Sequence, residues 1–200
     1  ENTIIYLTSD NGGNMYDRPE GENPTSNYPL RAGKGNNYEG GIRIPLIVSW
    51  PEKIAPNMVS EAVHVSYDFF PTILDILKLP APKDWPVDGK SALPALLGNS
   101  FERGPVFMVF PHTVLATGNV ANVAMRDGKW KLMRFFNTGL NQQDDYELYE
   151  LSSDIGETNN LAPAYPEVVH RMSSEMARHL EETATLLPRR NPDYNPQLIQ

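Results

Sequence analysis

The feature that most restricts this chain is an abrupt stop. A seven-residue apolar, β-branched run, Thr3–Ser9 (TIIYLTS), ends at Asp10-Asn11-Gly12-Gly13. An uninterrupted apolar run bounded by a turn reads as a strand covered on both faces, as in a parallel sheet. Ile44–Trp50 (IPLIVSW), closed by Pro51, reads the same way. Between them, residues 10–43 show no periodicity and carry repeated glycine and proline breaks. A loop of that length inside a compact domain is usually functional or disordered.

Further along, the period changes. Phe69, Phe70, Ile73, Leu74 and Leu77 fall at helical spacing, with Ser66 or Asp68 as N-cap and Pro71 in the first turn. Ser91–Leu97 reads as a short helix. Beyond Gly104, Val106–Phe110, Val120–Arg126, Lys129–Phe136 and Tyr146–Leu151 read as strands, and Asp127-Gly128 is a hairpin signal. A last helix is expected from Pro166 to Thr185, with Val169, Met172, Met176 and Leu180 as its apolar stripe. The order is strand, loop, strand, helix, then an antiparallel meander and a helix. It predicts the end of an α/β sheet over residues 1–103, followed by a small α+β subdomain over 104–200.

Composition excludes several classes. No run of 18 apolar residues is present, so no spanning helix is expected. The chain opens inside an apolar run with no signal pattern, which reads as a mature form or a piece of something longer. Cysteine is absent, which removes disulfides, zinc–thiolate sites and a cysteine nucleophile. A net charge of −8 has the wrong sign for a general nucleic-acid binder. Residues 135–170 hold no Lys or Arg but carry Asp144, Asp145, Glu147, Glu150, Asp154, Glu157 and Glu167. Such a window reads as a solvated acidic face.

Chemistry concentrates in the long loop. Asp10 and Asn11 stand at a strand's carboxyl end, where open α/β sheets place their ligands. A carboxylate beside a carboxamide offers hard oxygen donors, suited to Ca²⁺ or Mg²⁺. The competing reading is that D-N-G is simply a good turn. Lys34 sits between Gly33 and Gly35, so its ammonium could reach an anion as a compact point charge. The spacing is not that of a Walker loop. Glu39 and Arg43 are placed to pair with each other. A hard metal and a lysine on one loop are what stabilises an oxygen-rich anion undergoing displacement.

Six blocks carry a resemblance: TIIYLTSDNGG (3–13), LRAGKGNNYEGGIRIPLIVSWPEKI (30–54), DFFPTILDIL (68–77), DGKSALPALLG (88–98), RDGKWKL (126–132) and ELYELSSDIGETNNLA (147–162). In content and order the chain resembles the C-terminal part of a type I sulfatase of the alkaline-phosphatase-like superfamily. The resemblance implies the C-terminal part of that family's sheet, then an α+β subdomain with an antiparallel sheet and a C-terminal helix. It implies Asp10 and Asn11 as Ca²⁺ ligands, with Mg²⁺ as the alternative hard cation, and Lys34 as a sulfate contact in catalysis. His112, after the VFMVFPH run, matches a region that contacts substrate in some sulfatases. An exposed loop histidine is its alternative. His64 is expected to pack, and His170 and His179 to face solvent.

The family's nucleophile is a formylglycine made from Cys or Ser in a C/S-x-P-x-R motif. This chain contains no such motif. The resemblance therefore implies a parent protein that hydrolyses sulfuric esters of aryl or glycan type, in the periplasm or secreted, with this chain inactive alone. It implies as partners a sulfate ester or sulfated glycan, and either an N-terminal half or a second copy to cover the apolar strands. Two alternatives stand. One is a phosphodiesterase or phosphonate hydrolase of the same superfamily. The other is a non-catalytic binding or assembly module derived from a sulfatase.

Overall fold

The computed structural model describes residues 3–15 and 25–196. The middle of the long loop, 16–24, lies outside them. The chain forms two compact units, one of Glu1–Thr8 with Pro45–Gly104, the other of Ser9–Ile44 with Pro105–Gln200. The long loop thus belongs with the C-terminal residues, and the second division falls at Gly104. Helices are mixed with antiparallel sheets, and the fold is of the α/β class.

In the first unit, β1 (Ile5–Thr8) pairs with β2 (Leu46–Ser49). The pairing is antiparallel, with Ile5 opposite Ser49 and Thr8 opposite Leu46. This corrects the expectation of parallel strands covered on both faces. Ile5, Leu7 and Ile47 are 59%, 61% and 59% exposed. An all-apolar run carries no signal of pairing direction, nor of which face is covered. The helix expected near Phe69 is present at Phe69–Ile76, here α2, after the single turn α1 (Glu39–Ile42). Phe69 meets the Tyr6 ring edge-on at 5.3 Å and the His64 ring at 4.8 Å, so His64 packs as expected. α2 stops where Lys78 turns left-handed at φ +55° and the Leu79 N–H donates to Leu74 O (2.8 Å).

Asp68 stands at the N-cap position of α2, but its side chain makes no capping bond to that helix. It is fully buried and accepts the Val65 and Lys90 N–H groups. It also receives a two-pronged bond from Arg103, Nε to Oδ2 at 2.9 Å and Nη2 to Oδ1 at 3.1 Å. A single-turn helix, α3 (Leu93–Leu96), lies further along this unit.

The second unit is built on a four-stranded antiparallel meander. Its strands are β3 (Val106–Phe110), β4 (Asn122–Asp127), β5 (Trp130–Phe135) and β6 (Asp145–Glu150), adjacent in that order. All four were expected, within two residues at each end. Asp127 pairs with Trp130, so the two-residue loop is Gly128-Lys129, one position later than the sequence signal. Gly128 takes φ +56°, which glycine adopts without a Cβ clash.

Helix α4 (Pro166–Glu182) lies on one face of the sheet. Its Met172, Met176 and Leu180 are buried against Val123, Met125, Leu132 and Leu148. The other face is covered as well. Ala124, Met133 and Tyr149 pack with Tyr38 and Leu151, and Ala32 borders that cluster. Four successive residues of β4, Asn122–Met125, are therefore buried whichever way they point. His170 is exposed as expected, but His179 is not simply solvent-facing. Its ring stacks on Phe107 at 3.8 Å and 8°. The polar face of a helix can still reach an aromatic at the sheet's margin.

Met176 tests this packing. Met176→Ala removes a fully buried side chain from between helix and sheet. It is expected to cost roughly 2–5 kcal/mol in urea unfolding followed by circular dichroism. A loss below about 1 kcal/mol would mean that α4 does not pack on the sheet.

Candidate metal and anion site

The site is assembled from backbone. Three non-strand segments, 10–13, 31–34 and 38–41, lie side by side in the second unit. The Gly12 N–H donates to Gly41 O (2.9 Å), the Gly40 N–H to Arg31 O (2.8 Å), and the Lys34 N–H to Gly13 O (3.0 Å). Such contact leaves no space for side chains. A Cβ on Gly12 would lie 1.7 Å from Gly40 O, and one on Gly33 would lie 2.4 Å from Gly13 O. Asn27 braces the join with one carboxamide. It accepts the Gly13 N–H and donates to Gly13 O and Ala32 O, each at 3.0 Å.

The Asp10-Asn11 turn rests on this platform. Asp10 is exposed and its Oδ1 accepts the Asn11 N–H (3.0 Å). Asn11 Nδ2 donates to Gly12 O (2.8 Å), which turns its carboxamide oxygen the other way. Among the described residues no hydrogen bond reaches Asp10 Oδ2 or Asn11 Oδ1. Two hard oxygens with open lone pairs on adjacent residues suit a calcium-like ion in kind. They fall short in number, because Ca²⁺ takes six to eight oxygens. No group of three His, Cys, Asp or Glu residues that could hold a metal occurs among the described residues.

Lys34 is exposed, and its backbone is bonded to the residue two beyond Asn11. Its flanking glycines have separate causes. Gly33 is required by the approach to Gly13, and Gly35 by a left-handed φ of +81°. His112 is exposed on the turn after β3, its ring 4.7 Å from that of Phe110. Its loop is tied to the lysine loop in two ways. Thr117 Oγ1 donates to Gly35 O (3.1 Å). A run of buried carboxamides passes from Asn37 Nδ2 to Asn122 Oδ1 (2.9 Å), from Asn122 Nδ2 to Asn119 Oδ1 (3.0 Å), and from Asn119 Nδ2 to His112 O (3.3 Å). The segments bearing Asp10, Asn11, Lys34 and His112 thus belong to one hydrogen-bonded assembly.

Sequence reasoning missed how that assembly is anchored. The acidic window is not merely a solvated face. Glu147 Oε2 accepts the hydroxyls of both Tyr38 and Tyr149 at 2.7 Å. Arg31 stacks over the Tyr38 ring at 3.8 Å and donates to Tyr149 Oη and Glu157 O. Burial, then the Glu147 carboxylate, pushes both tyrosine hydroxyls well above their ordinary range. Arg31, Tyr38 and Glu147 edge an open cleft of about 550 Å³, lined also by Asn36 and Phe135 but by none of the four predicted residues.

Glu157 is fully buried beside Glu39, and between them lies the fully buried ammonium of Lys131. Arg43 pairs with Glu39 at 2.6 Å, as expected. Burial acts to raise the Glu39 carboxyl, but Lys131 and Arg43 outweigh it and hold it below its usual value. At Glu157 burial prevails over Lys131 and raises the carboxyl.

Residues 33–183 match the family profile described as N-sulphoglucosamine sulphohydrolase, C-terminal. The match takes in Lys34, Glu39, His112, Lys131 and Glu157. The chain is 38% identical, over 83% of its length, to a protein named sulfatase from Formosa agariphila. It is 32% identical, over 86% of its length, to the N-acetylgalactosamine-6-O-sulfatase of Bacteroides thetaiotaomicron. It spans only 30% and 35% of those two relatives, about a third of each. A solved structure from work on glycosaminoglycan metabolism by Bacteroides thetaiotaomicron superposes with a TM-score of 0.65 at 32% identity, covering 88% of this chain and 38% of that one. By profile, relatives and fold together, the chain belongs to the sulfatase family and corresponds to the C-terminal part of its members.

Proposed function

We propose that the protein carrying this chain hydrolyses sulfate esters on a glycan, with Asp10 and Asn11 as two ligands of a Ca²⁺ ion and Lys34 as a sulfate contact. The observation that carries the reading is the backbone bond from Lys34 to Gly13, which ties the ammonium-bearing turn to the one that presents the two open oxygens. The glycan class is suggested by the relative named for N-acetylgalactosamine 6-O-sulfate.

The contributions of this chain's residues follow from charge. A sulfate ester carries negative oxygens, and more charge gathers on them and on the leaving oxygen as the S–O bond breaks. Lys34 supplies a full positive charge to one such oxygen without proton transfer. Asp10 and Asn11 would hold the metal, which when bound supplies Lewis-acid neutralisation of the same group. The glycine backbone and the Asn27 brace hold both turns before substrate arrives, so little reorganisation accompanies reaction. His112, exposed on a loop tied to Gly35, would serve as a specificity contact to the sugar. The nucleophile comes from outside these 200 residues, since they hold neither cysteine nor a Ser-x-Pro-x-Arg sequence.

Two substitutions in the full-length protein test the assignment. Lys34→Ala is expected to lower kcat/KM on an aryl sulfate by about 10²–10³-fold, with the melting temperature nearly unchanged because the side chain is exposed. Unaltered kinetics would remove Lys34 from the site. Asp10→Asn is expected to weaken Ca²⁺ binding in isothermal titration by roughly tenfold or more. An unchanged Ca²⁺ affinity would show that Asp10 is a turn residue only.

A further inference from the structure

A fully buried lysine is an expensive choice for a strand interior. Desolvating an ammonium and two carboxylates is costly, and apolar residues of the same volume often give an equal or more stable fold. Lys131 nevertheless lies on β5 with no exposure, on the sheet face opposite α4. Its Nζ is 3.0 Å from Glu39 Oε1 and 2.7 Å from Glu157 Oε1. Glu157 Oε2 accepts the Glu39 backbone N–H at 2.6 Å, and the other Glu39 oxygen takes Arg43 at 2.6 Å. Glu39, the first residue of α1, is therefore held at its amide and at both carboxylate oxygens. Two acids face two cations, so the group is formally neutral. The partners come from segments far apart in sequence: Lys131 is 92 residues from Glu39, and Glu157 is 118.

What α1 touches gives this arrangement a use beyond stability. Gly41 O receives Gly12, and the Gly40 N–H binds Arg31 O. One residue past Gly12, Gly13 O receives Lys34. Displacing α1 would therefore displace both the Asp10-Asn11 turn and the Lys34 turn. Asp10 and Lys34 are exposed and Asn11 is half-buried.

We infer that Lys131 is a positioning residue: its buried ammonium, clasped by Glu39 and Glu157, fixes α1 and through it the two turns that present Asp10, Asn11 and Lys34. Calling those turns a reaction centre rests on the sulfatase reading, but the mechanical claim does not. Lys131 is fully buried and acts through Glu39, directly and by way of Glu157.

The test uses the full-length protein and three variants. Lys131→Met leaves two acids facing one Arg and could fail to fold. The double variant Lys131→Met/Glu157→Gln leaves Glu39 paired with Arg43 and keeps the charge balanced. Amide hydrogen exchange is read at Gly12 and Lys34, with the β3–β4 ladder as internal reference. In the double variant, exchange at Gly12 and Lys34 should quicken at least tenfold while the ladder keeps its protection. The kcat on an aryl sulfate should fall with it. Loss of protection at the site and ladder together, or at neither, overturns the proposal. Lys34→Ala is assayed alongside. Full activity in that variant defeats the sulfatase site and leaves the exchange result standing. An inactive Lys34→Ala with unchanged exchange in the double variant defeats only the positioning role.

Discussion

A sheet that is apolar on both faces needs two covers, and in the C-terminal unit only one of them is a helix. Met172, Met176 and Leu180 close the first face. The second is closed by Tyr38 and its neighbours, from the same stretch that carries Lys34. Irregular backbone is a difficult cover, because each buried N–H and C=O must find a partner without a ladder. The chain answers by bonding its loop segments to one another, Gly12 to Gly41, Gly40 to Arg31 and Lys34 to Gly13, and by using Asn27 as a three-bond brace. The candidate site is a by-product of this solution. Bonding the described loop segments to one another brings the Asp10-Asn11 and Lys34 turns together.

Polar groups then fix where the loop sits. Tyr38 and Tyr149 share Glu147, Arg31 spans Tyr38 and Glu157, and Lys131 binds Glu39 and Glu157. Apolar contact alone would tolerate some sliding of a glycine-rich segment. Directional bonds to charged groups do not. This division of labour separates cover from register. Aromatic and aliphatic surface supplies the adhesion, and a few buried ions supply the position.

The legible part of the sequence was the part with a period. The meander strands and the α4 stripe follow from alternation and helical spacing, and each lies where it was expected to within a few residues. The pairing of β1 with β2 was not legible, because TIIYLTS and IPLIVSW are apolar at nearly every position and encode no direction. Lys131 could not be found either. It reads as one more charge in RDGKWKL, and only the fold shows that two distant glutamates meet it. The acidic window was misread for the same reason: Glu147 meets the Tyr38 hydroxyl and Glu157 the Glu39 N–H, each more than a hundred residues away. Asp10, Asn11 and Lys34 were legible as candidates by residue chemistry alone. The backbone bond between Lys34 and Gly13 was not, since nothing local to either segment predicts it.

The central claim is that two adjacent oxygens and one ammonium serve the same anion. A crystal structure of the full-length protein grown with Ca²⁺ and sulfate bears on it most directly. The account predicts Ca²⁺ on Asp10 and Asn11 oxygens at about 2.3–2.6 Å, and Lys34 Nζ within about 3.2 Å of an oxygen of the sulfate that this ion also contacts. Ca²⁺ bound elsewhere, or a sulfate seated on the metal with the Lys34 ammonium turned away into solvent, would contradict it.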